Sequence, residues 1–378
     1  MAEQIDIVAA NLAESIVEVD WSDQSQHAYH PIWLRDNCRC EDCGDPAIGR
    51  RQLRLSELDL DCSAKSLEFD AGQLLLNWSD GHQSRFSSQW LREYAYDNKA
   101  RAARVFQPRL WDQAFRQDPL FLDMLEQVRD RGICLIRNAP AEAGILEAFA
   151  LRFGFPQESN FGRIQDLIID RNKRSIANDV HALKPHTDEP YRASPPGILL
   201  FHCVTTDIEG SGCSTFVDGF EIAEVLRQQD AEGFAALCRN RQSFRRHFGG
   251  DVDVIAEFPL ISTDEFGNIV GIRLNDRVAA PLQIDPSEVA VYYRALQRLL
   301  QLSEDPAYRL ELNLQPGDIA AFDNHRVLHG RSNLSLNGKR WLQWVQIERG
   351  DFHSSLRIIA DRLERERDAN PLLRGAYG

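Results

Sequence analysis

The sequence predicts a mainly β, α+β chain: a jelly-roll-type core of short strands with flanking helices, preceded by a small strand-rich module. Short apolar runs bounded by turn-forming residues recur along the 378 residues. Helical spacing is confined to a few segments without regular strand-helix alternation, which argues against a doubly wound parallel sheet. The chain also exceeds the length of one ordinary core, and 43% hydrophobic content is enough to bury two.

Taken in chain order, Ser15–Val19 and Leu74–Trp78 are strand-like runs of the first module, assigned to residues 1–97. The polar, mixed-charge stretch Asp97–Arg104 is a linker, and a second domain follows over residues 105–378. There, Leu122, Leu125 and Val128 set a helix over Leu120–Arg131, and Gly132 leads into a buried strand, Ile133–Ile136. Leu146–Phe153, Gly219–Arg227 and Ser287–Leu302 are further helices, and Ile198–Val204 and Ile319–Phe322 are strands. Leu356, Ile358, Ile359 and Leu363 are placed near one face of a terminal helix over Ser354–Arg367.

Composition narrows the function classes. A net charge of −14 would repel phosphate backbones and anionic lipids, so nucleic acid and membrane are not expected partners. No run of 18 apolar residues could span a bilayer, and no basic-plus-apolar leader stands at the start. The eight cysteines, three of them clustered, fit a reducing, cytoplasmic compartment better than a disulfide framework. The basic run Arg239–Arg246 is a solvated face.

The chemistry concentrates in His186-Thr187-Asp188 with His329 and Arg340. Side chains at i and i+2 of an extended segment leave one face, so His186 and Asp188 can reach one ion, with His329 as the third ligand. Two imidazoles and one carboxylate form a facial triad that leaves positions open on Fe(II) for a co-substrate and dioxygen. Arg340 opens a strand-like run, where its guanidinium fork can hold the distal carboxylate of 2-oxoglutarate. A histidine two before an acid occurs about once or twice in such a composition by chance, so the order of all five residues carries the weight. His202, inside the apolar run Ile198–Val204, is a core histidine. Cys38, Cys40 and Cys43 lie within six residues and can bind a soft or borderline cation as thiolates.

The stretch Lys184-Pro185-His186-Thr187-Asp188-Glu189-Pro190-Tyr191 resembles the gamma-butyrobetaine and trimethyllysine hydroxylase family. So do Ser211–Phe220, Pro316-Gly317-Asp318, Phe322-Asp323-Asn324 and Leu328-His329-Gly330-Arg331, and at the N-terminus His30–Cys43. These enzymes are taurine dioxygenase-like Fe(II)- and 2-oxoglutarate-dependent oxygenases, and the similarity spans nearly the whole chain. The resemblance implies a double-stranded β-helix, iron on His186, Asp188 and His329, the co-substrate on Arg340, and homodimers. Ser214 is placed to touch the co-substrate or to serve a turn. His82, after the Asp80-Gly81 turn, is implied as fourth ligand of a structural Zn(II) with the three thiols. Cys62 or His30 in its place, and reduced thiols without metal, are the alternatives.

In such enzymes a trimethylammonium head sits in an aromatic cage. By motif position the cage sites here are Phe161, Gln165, Glu189 and Gln346, of which only Phe161 is aromatic. Tyr191 can supply one wall, Glu189 a charge-assisted contact to an N–H-bearing ammonium, and Asn275, Asp276 and Arg277 the region meeting the anionic end. Surface or packing roles stand as alternatives for Glu189, Tyr191 and Arg277. The expectation is a cytoplasmic dioxygenase that hydroxylates a small zwitterionic amine or quaternary ammonium compound, with succinate and carbon dioxide released. Hydroxylation of an aminoalkylphosphonate or its N-methylated form is the alternative within chemistry. A non-catalytic, metal-stabilised jelly-roll binding protein is the alternative of another class.

Overall fold

The computed structural model describes residues 5–13, 16–38, 40–45, 50–51, 53, 58–59, 61–70, 72–95, 108–110, 118–168, 182–206, 212–248, 252–333 and 340–365. They fall into two compact units, one within Met1–Ala100 and one within Arg101–Glu364. The linker expected over Asp97–Arg104 lies outside the described residues. Among the described residues, no helix is long and apolar enough to cross a membrane.

The first unit holds two antiparallel three-stranded sheets, Ile7–Ala13, Ile16–Trp21 and Gln26–Tyr29, and Ala64–Asp70, Gln73–Trp78 and Gln83–Ser87. Alternation decides which side chains face inward. Leu74, Leu76 and Trp78 of one strand are buried, and they meet Val17, Val19 and Trp21 of the other sheet in one apolar cluster. His30 caps the helix Pro31–Asp36 by accepting from Ile32 N at 3.3 Å.

The second unit is built on two sheets. The six-stranded sheet runs Gln165–Ile168, Arg340–Ile347, Ile198–Thr206, Ile319–Asp323, Ile133–Arg137, Arg109–Leu110. The four-stranded sheet runs Leu183–His186, Val327–Arg331, Ser214–Asp218, Arg309–Leu312. Alternate residues of both contribute to one shared apolar layer: Leu199, Phe201, Phe322, Leu342 and Trp344 from the first sheet, Phe216 and Val327 from the second. The opposite parity of the first sheet, Ile198, Leu200, Ile319, Ala321, Val345 and Ile347, packs under the helices Asp118–Arg131, Ile145–Ala150 and Arg349–Arg362. Val217 and Leu328 of the second sheet pack under Gly219–Gln229, Ala231–Arg239 and Pro286–Glu304.

One expectation needs correction. The terminal helix starts at Arg349, not Ser354, because Glu348 accepts from Asp351 N at 3.1 Å and caps it five residues earlier. The basic run keeps the solvated face expected of it: Arg239, Arg241 and Arg245 are exposed, while Arg241–Phe248 pairs with Val252–Pro259 in an antiparallel ribbon that buries Gln242 and Phe244 and pairs Arg245 with Asp253.

Candidate active site

Two of the three expected iron-binding residues, His186 and His329, are held by strands of the second unit's smaller sheet. His186 ends its strand and pairs in register with His329, which sits mid-strand in Val327–Arg331. Gly330 follows His329, where a Cβ would stand 2.4 Å from Leu183 O, so the close crossing of the two ligand strands needs glycine. Asp188 lies beyond the strand end, in a bend, which corrects the picture of both ligands on one strand. Instead Asn324 clasps it: Asp188 N donates to Asn324 Oδ1 at 2.7 Å, and Asn324 Nδ2 donates to Asp188 O at 3.1 Å.

The donors converge. Asp188 Oδ1 is 3.3 Å from His186 Nε2 and Asp188 Oδ2 is 3.5 Å from His329 Nε2. Two ligand atoms about 2.1 Å from one ion stand roughly 3.0 Å apart at right angles and roughly 3.4 Å at tetrahedral angles, so the triad fits a single ion. His186 Nδ1 donates to Lys184 O at 2.9 Å, which leaves Nε2 as the lone-pair nitrogen toward the ion. Burial, with His329 alongside, pushes the His186 imidazole down, so it is neutral and able to ligate. Burial alone would raise the Asp188 carboxyl, but His329 and His186 hold it well below the usual carboxylate range. Phe201 and Phe322 stack edge-on or tilted against His329 with ring centroids 5.4 and 5.1 Å away, so the apolar layer between the sheets forms the site's wall.

Arg340 and Ser214 meet in the same layer. Ser214 pairs with Arg331, two residues from His329, and Arg340 Nη2 donates to Ser214 Oγ at 3.2 Å. Arg340 is 9% exposed, and burial pushes its guanidinium below its ordinary value. Among the described residues no carboxylate pairs with it. His202 takes the other parity of its strand, facing the helices as a core residue.

Of the residues expected at the substrate, Asn275 and Glu189 adjoin the ligands. Asn275 Nδ2 donates to Thr187 O at 3.1 Å, between the two ligands, and Glu189 directly follows Asp188. Burial pushes the Glu189 carboxyl up while Arg192, paired with it, pulls it down. Tyr191 is buried, whereas Phe161 is 43% exposed on a loop. Gln165 is half-buried opposite Trp344, and Gln346 is buried. Arg277 is exposed, on the turn Asp276–Val278, yet its charge acts on both Asp188 and His186. Arg246, which sequence reasoning left in a solvated run, acts on Arg277 and Tyr191. Only the ribbon's register, which joins Phe244 to Ala279, shows that link.

In the first unit, Cys38, Cys40 and Cys43 gather around His82, with Nε2–Sγ separations of 3.3, 3.5 and 3.5 Å. A tetrahedral zinc with sulfur at about 2.3 Å and nitrogen at about 2.0–2.1 Å sets that separation near 3.6 Å, so this donor set is compatible with zinc. Arg35 Nε donates to Asp80 Oδ2 at 3.0 Å and Arg35 Nη1 to Cys43 Sγ at 3.6 Å, and Asp80 Oδ1 accepts from His82 N at 2.9 Å. Cys62 instead accepts from Ser79 Oγ, and His30 is engaged in its helix cap, so neither belongs to the cluster.

A three-donor site together with a buried arginine that pairs with no carboxylate among the described residues fits a mononuclear non-haem oxygenase, and the chain is a dioxygenase. It belongs to the taurine catabolism dioxygenase TauD, TfdA family, whose sequence model matches residues 96–346. A second model, gamma-butyrobetaine hydroxylase-like, N-terminal, matches residues 9–92. The chain is 33% identical over 371 residues to a gamma-butyrobetaine dioxygenase of Pseudomonas sp. (strain AK-1), covering 93% of this chain and 95% of that one. It is 28% identical to the gamma-butyrobetaine dioxygenase of Homo sapiens, covering 92% and 95%. It is 27% identical to a trimethyllysine dioxygenase of Meyerozyma guilliermondii, covering 93% and 96%. Among solved structures, AAD-2 in complex with Mn(II) and N-oxalylglycine superposes with a TM-score of 0.51 at 15% identity, over 65% of this chain and 97% of that one, a likeness of fold.

Proposed function

We propose that this chain hydroxylates an unactivated C–H bond of a small zwitterionic, betaine-like amine, using Fe(II), 2-oxoglutarate and dioxygen. The observation that carries the proposal is Arg340, a buried guanidinium without an acidic partner among the described residues, set beside a three-donor site. A merely structural metal has no use for it, which disfavours the non-catalytic binding protein. The gamma-butyrobetaine and trimethyllysine dioxygenases among the relatives support the substrate class.

In this proposal His186, Asp188 and His329 hold iron, and the two facing sheets are the strands of a double-stranded β-helix, or jelly roll. Bound iron supplies the oxidising power that no side chain has, with 2-oxoglutarate leaving as succinate and carbon dioxide. Arg340 and Ser214 hold the distal carboxylate of that co-substrate. Phe201, Phe322 and Trp344 keep water from the site, and the protein's remaining task is to aim one C–H bond. Asn275 and Arg277 orient the substrate's anionic end, with Glu189, Tyr191 and Phe161 around its cationic end. Residues 1–97 form a zinc-stapled domain on Cys38, Cys40, Cys43 and His82, and residues 105–378 the catalytic domain. The second basic residue, Arg246, beside Arg277 favours a dianionic head, so an aminoalkylphosphonate or its N-methylated form is the second reading.

Anaerobic addition of 2-oxoglutarate to the Fe(II)-loaded chain is expected to give a visible charge-transfer band from its chelation. Arg340→Ala is expected to weaken half-saturation by roughly 10- to 100-fold, the value of losing charge-assisted hydrogen bonds. No band from the iron-loaded chain overturns the proposal. Succinate release across betaines, amino acids and aminophosphonates separates the two substrate classes.

A further inference from the structure

Three buried acceptor atoms lack a hydrogen-bond donor among the described residues: Glu189 Oε1 and Asn275 Oδ1, whose residues adjoin the ligands, and Gln346 Oε1. Their residues are 5%, 6% and 5% exposed, so bulk water does not serve them. Buried acceptors left unpaired are uncommon and call for a partner.

The three are linked through the site. Asn275 spends its donor on Thr187 O, between the two ligands, which leaves its oxygen over. Glu189 adopts a left-handed backbone, φ 49°, an uncommon conformation for a residue other than glycine. Its Oε2 takes Arg192, and Arg192 in turn reaches Asn160 Oδ1. Gln157, on that same loop, donates its N–H to Gln346 O at 2.9 Å, so one loop ties the Glu189 side of the site to Gln346. Gln346 shares the strand face of Arg340, Leu342 and Trp344, the last two in the apolar layer between the sheets.

We infer that this site takes an ammonium bearing N–H groups, a primary, secondary or tertiary amine, in preference to a quaternary trimethylammonium. The inference rests on the proposed hydroxylation of a zwitterionic amine and narrows its substrate. A trimethylammonium has no N–H, so it would leave Glu189 Oε1 and Gln346 Oε1 unpaired. It is held instead by aromatic faces, and here Phe161 is 43% exposed while Glu189 and Gln346 are polar. A protonated amine donates to oxygens of this kind, with the carboxylate of Glu189 as the charge-assisted acceptor.

The test uses the full chain loaded with Fe(II) and 2-oxoglutarate, and the readouts are substrate-stimulated succinate release and perturbation of the charge-transfer band. The probes are 4-aminobutyrate and its mono-, di- and trimethylated forms, with longer and shorter homologues and the matching aminophosphonates. The expected result is a kcat/KM for the best N–H-bearing member at least about 100-fold above that of its trimethylated form, because a site built for hydrogen bonds rejects the analogue that lacks them. Gln346→Tyr, which removes one acceptor and restores one aromatic face, is expected to shift that ratio toward the trimethylated form. A trimethylated optimum in the native chain overturns this inference and leaves the parent proposal standing. A chain that forms the band but responds to no amine in any series overturns both.

Discussion

Asn324 holds Asp188 without touching its carboxylate. Both ends of its amide are engaged, with Oδ1 accepting from Asp188 N and Nδ2 donating to Asp188 O and, at 3.0 Å, to Pro196 O. Because the strand ends at His186, no ladder fixes the backbone of Asp188, and this side chain takes over that task. Asn324→Ala is therefore expected to weaken divalent-metal binding by roughly 10- to 100-fold, the usual cost of removing a partner that orients a ligand. Calorimetric titration with Co(II) or Fe(II) checks it, and unchanged affinity in a folded variant would remove the role. The convergence of His186, Asp188 and His329 was legible because it is carried by residue type and order. Asn324 and Arg246 were not, since their value depends on contacts across 136 residues of chain or on hairpin register.

At the scale of elements, the thiol loop shows how local sequence can prescribe a site. Three thiols within six residues leave one short segment, and Gly81, at φ 84°, completes the turn that brings His82 back to them. Burial and the neighbouring thiols push Cys43 up to about 12, so without a cation this thiol stays protonated. On the zinc proposal, a bound Zn(II) would ionise the thiols and so couple metal binding to folding of this unit. Cys43→Ser and His82→Ala are each expected to lose one equivalent of zinc by elemental analysis and to lower the unit's unfolding temperature. Cys62→Ser, outside the cluster, is expected to keep its zinc, and loss of zinc there would reassign the fourth ligand. Helices with a strong apolar stripe, such as Pro286–Glu304, were readable within two residues at each end. The Arg349–Arg362 helix was misplaced because its start is set by the Glu348 cap rather than by the apolar pattern.

Over the whole molecule, sheet order was the least legible property, because strand neighbours are far apart in sequence: Arg340–Ile347 lies between Gln165–Ile168 and Ile198–Thr206. The same long-range packing creates a buried charge cluster that makes stability depend on pH. Arg349 pairs with Asp323 at 3.0 Å, and burial together with that guanidinium pushes His325 down to about 4 and His353 to about 3. An imidazole whose folded value lies below its ordinary 6.5 leaves the folded chain with fewer protons than the unfolded one. Its contribution is therefore complete above pH 6.5 and lost as pH falls toward 4 for His325 and 3 for His353. Each histidine is expected to cost roughly 1 kcal/mol between about pH 7 and about pH 5.5. Relief of self-repulsion acts the other way, since a chain of net charge −14 approaches neutrality near its pI of 5.2. At about 0.15 M salt the surface charges are screened beyond roughly 8 Å while the buried imidazoles are not, so the loss should prevail. Urea unfolding across that range is expected to show stability falling on acidification, with a shallower slope in His353→Gln. Equal slopes in the two proteins would show that this cluster does not set the acid limit.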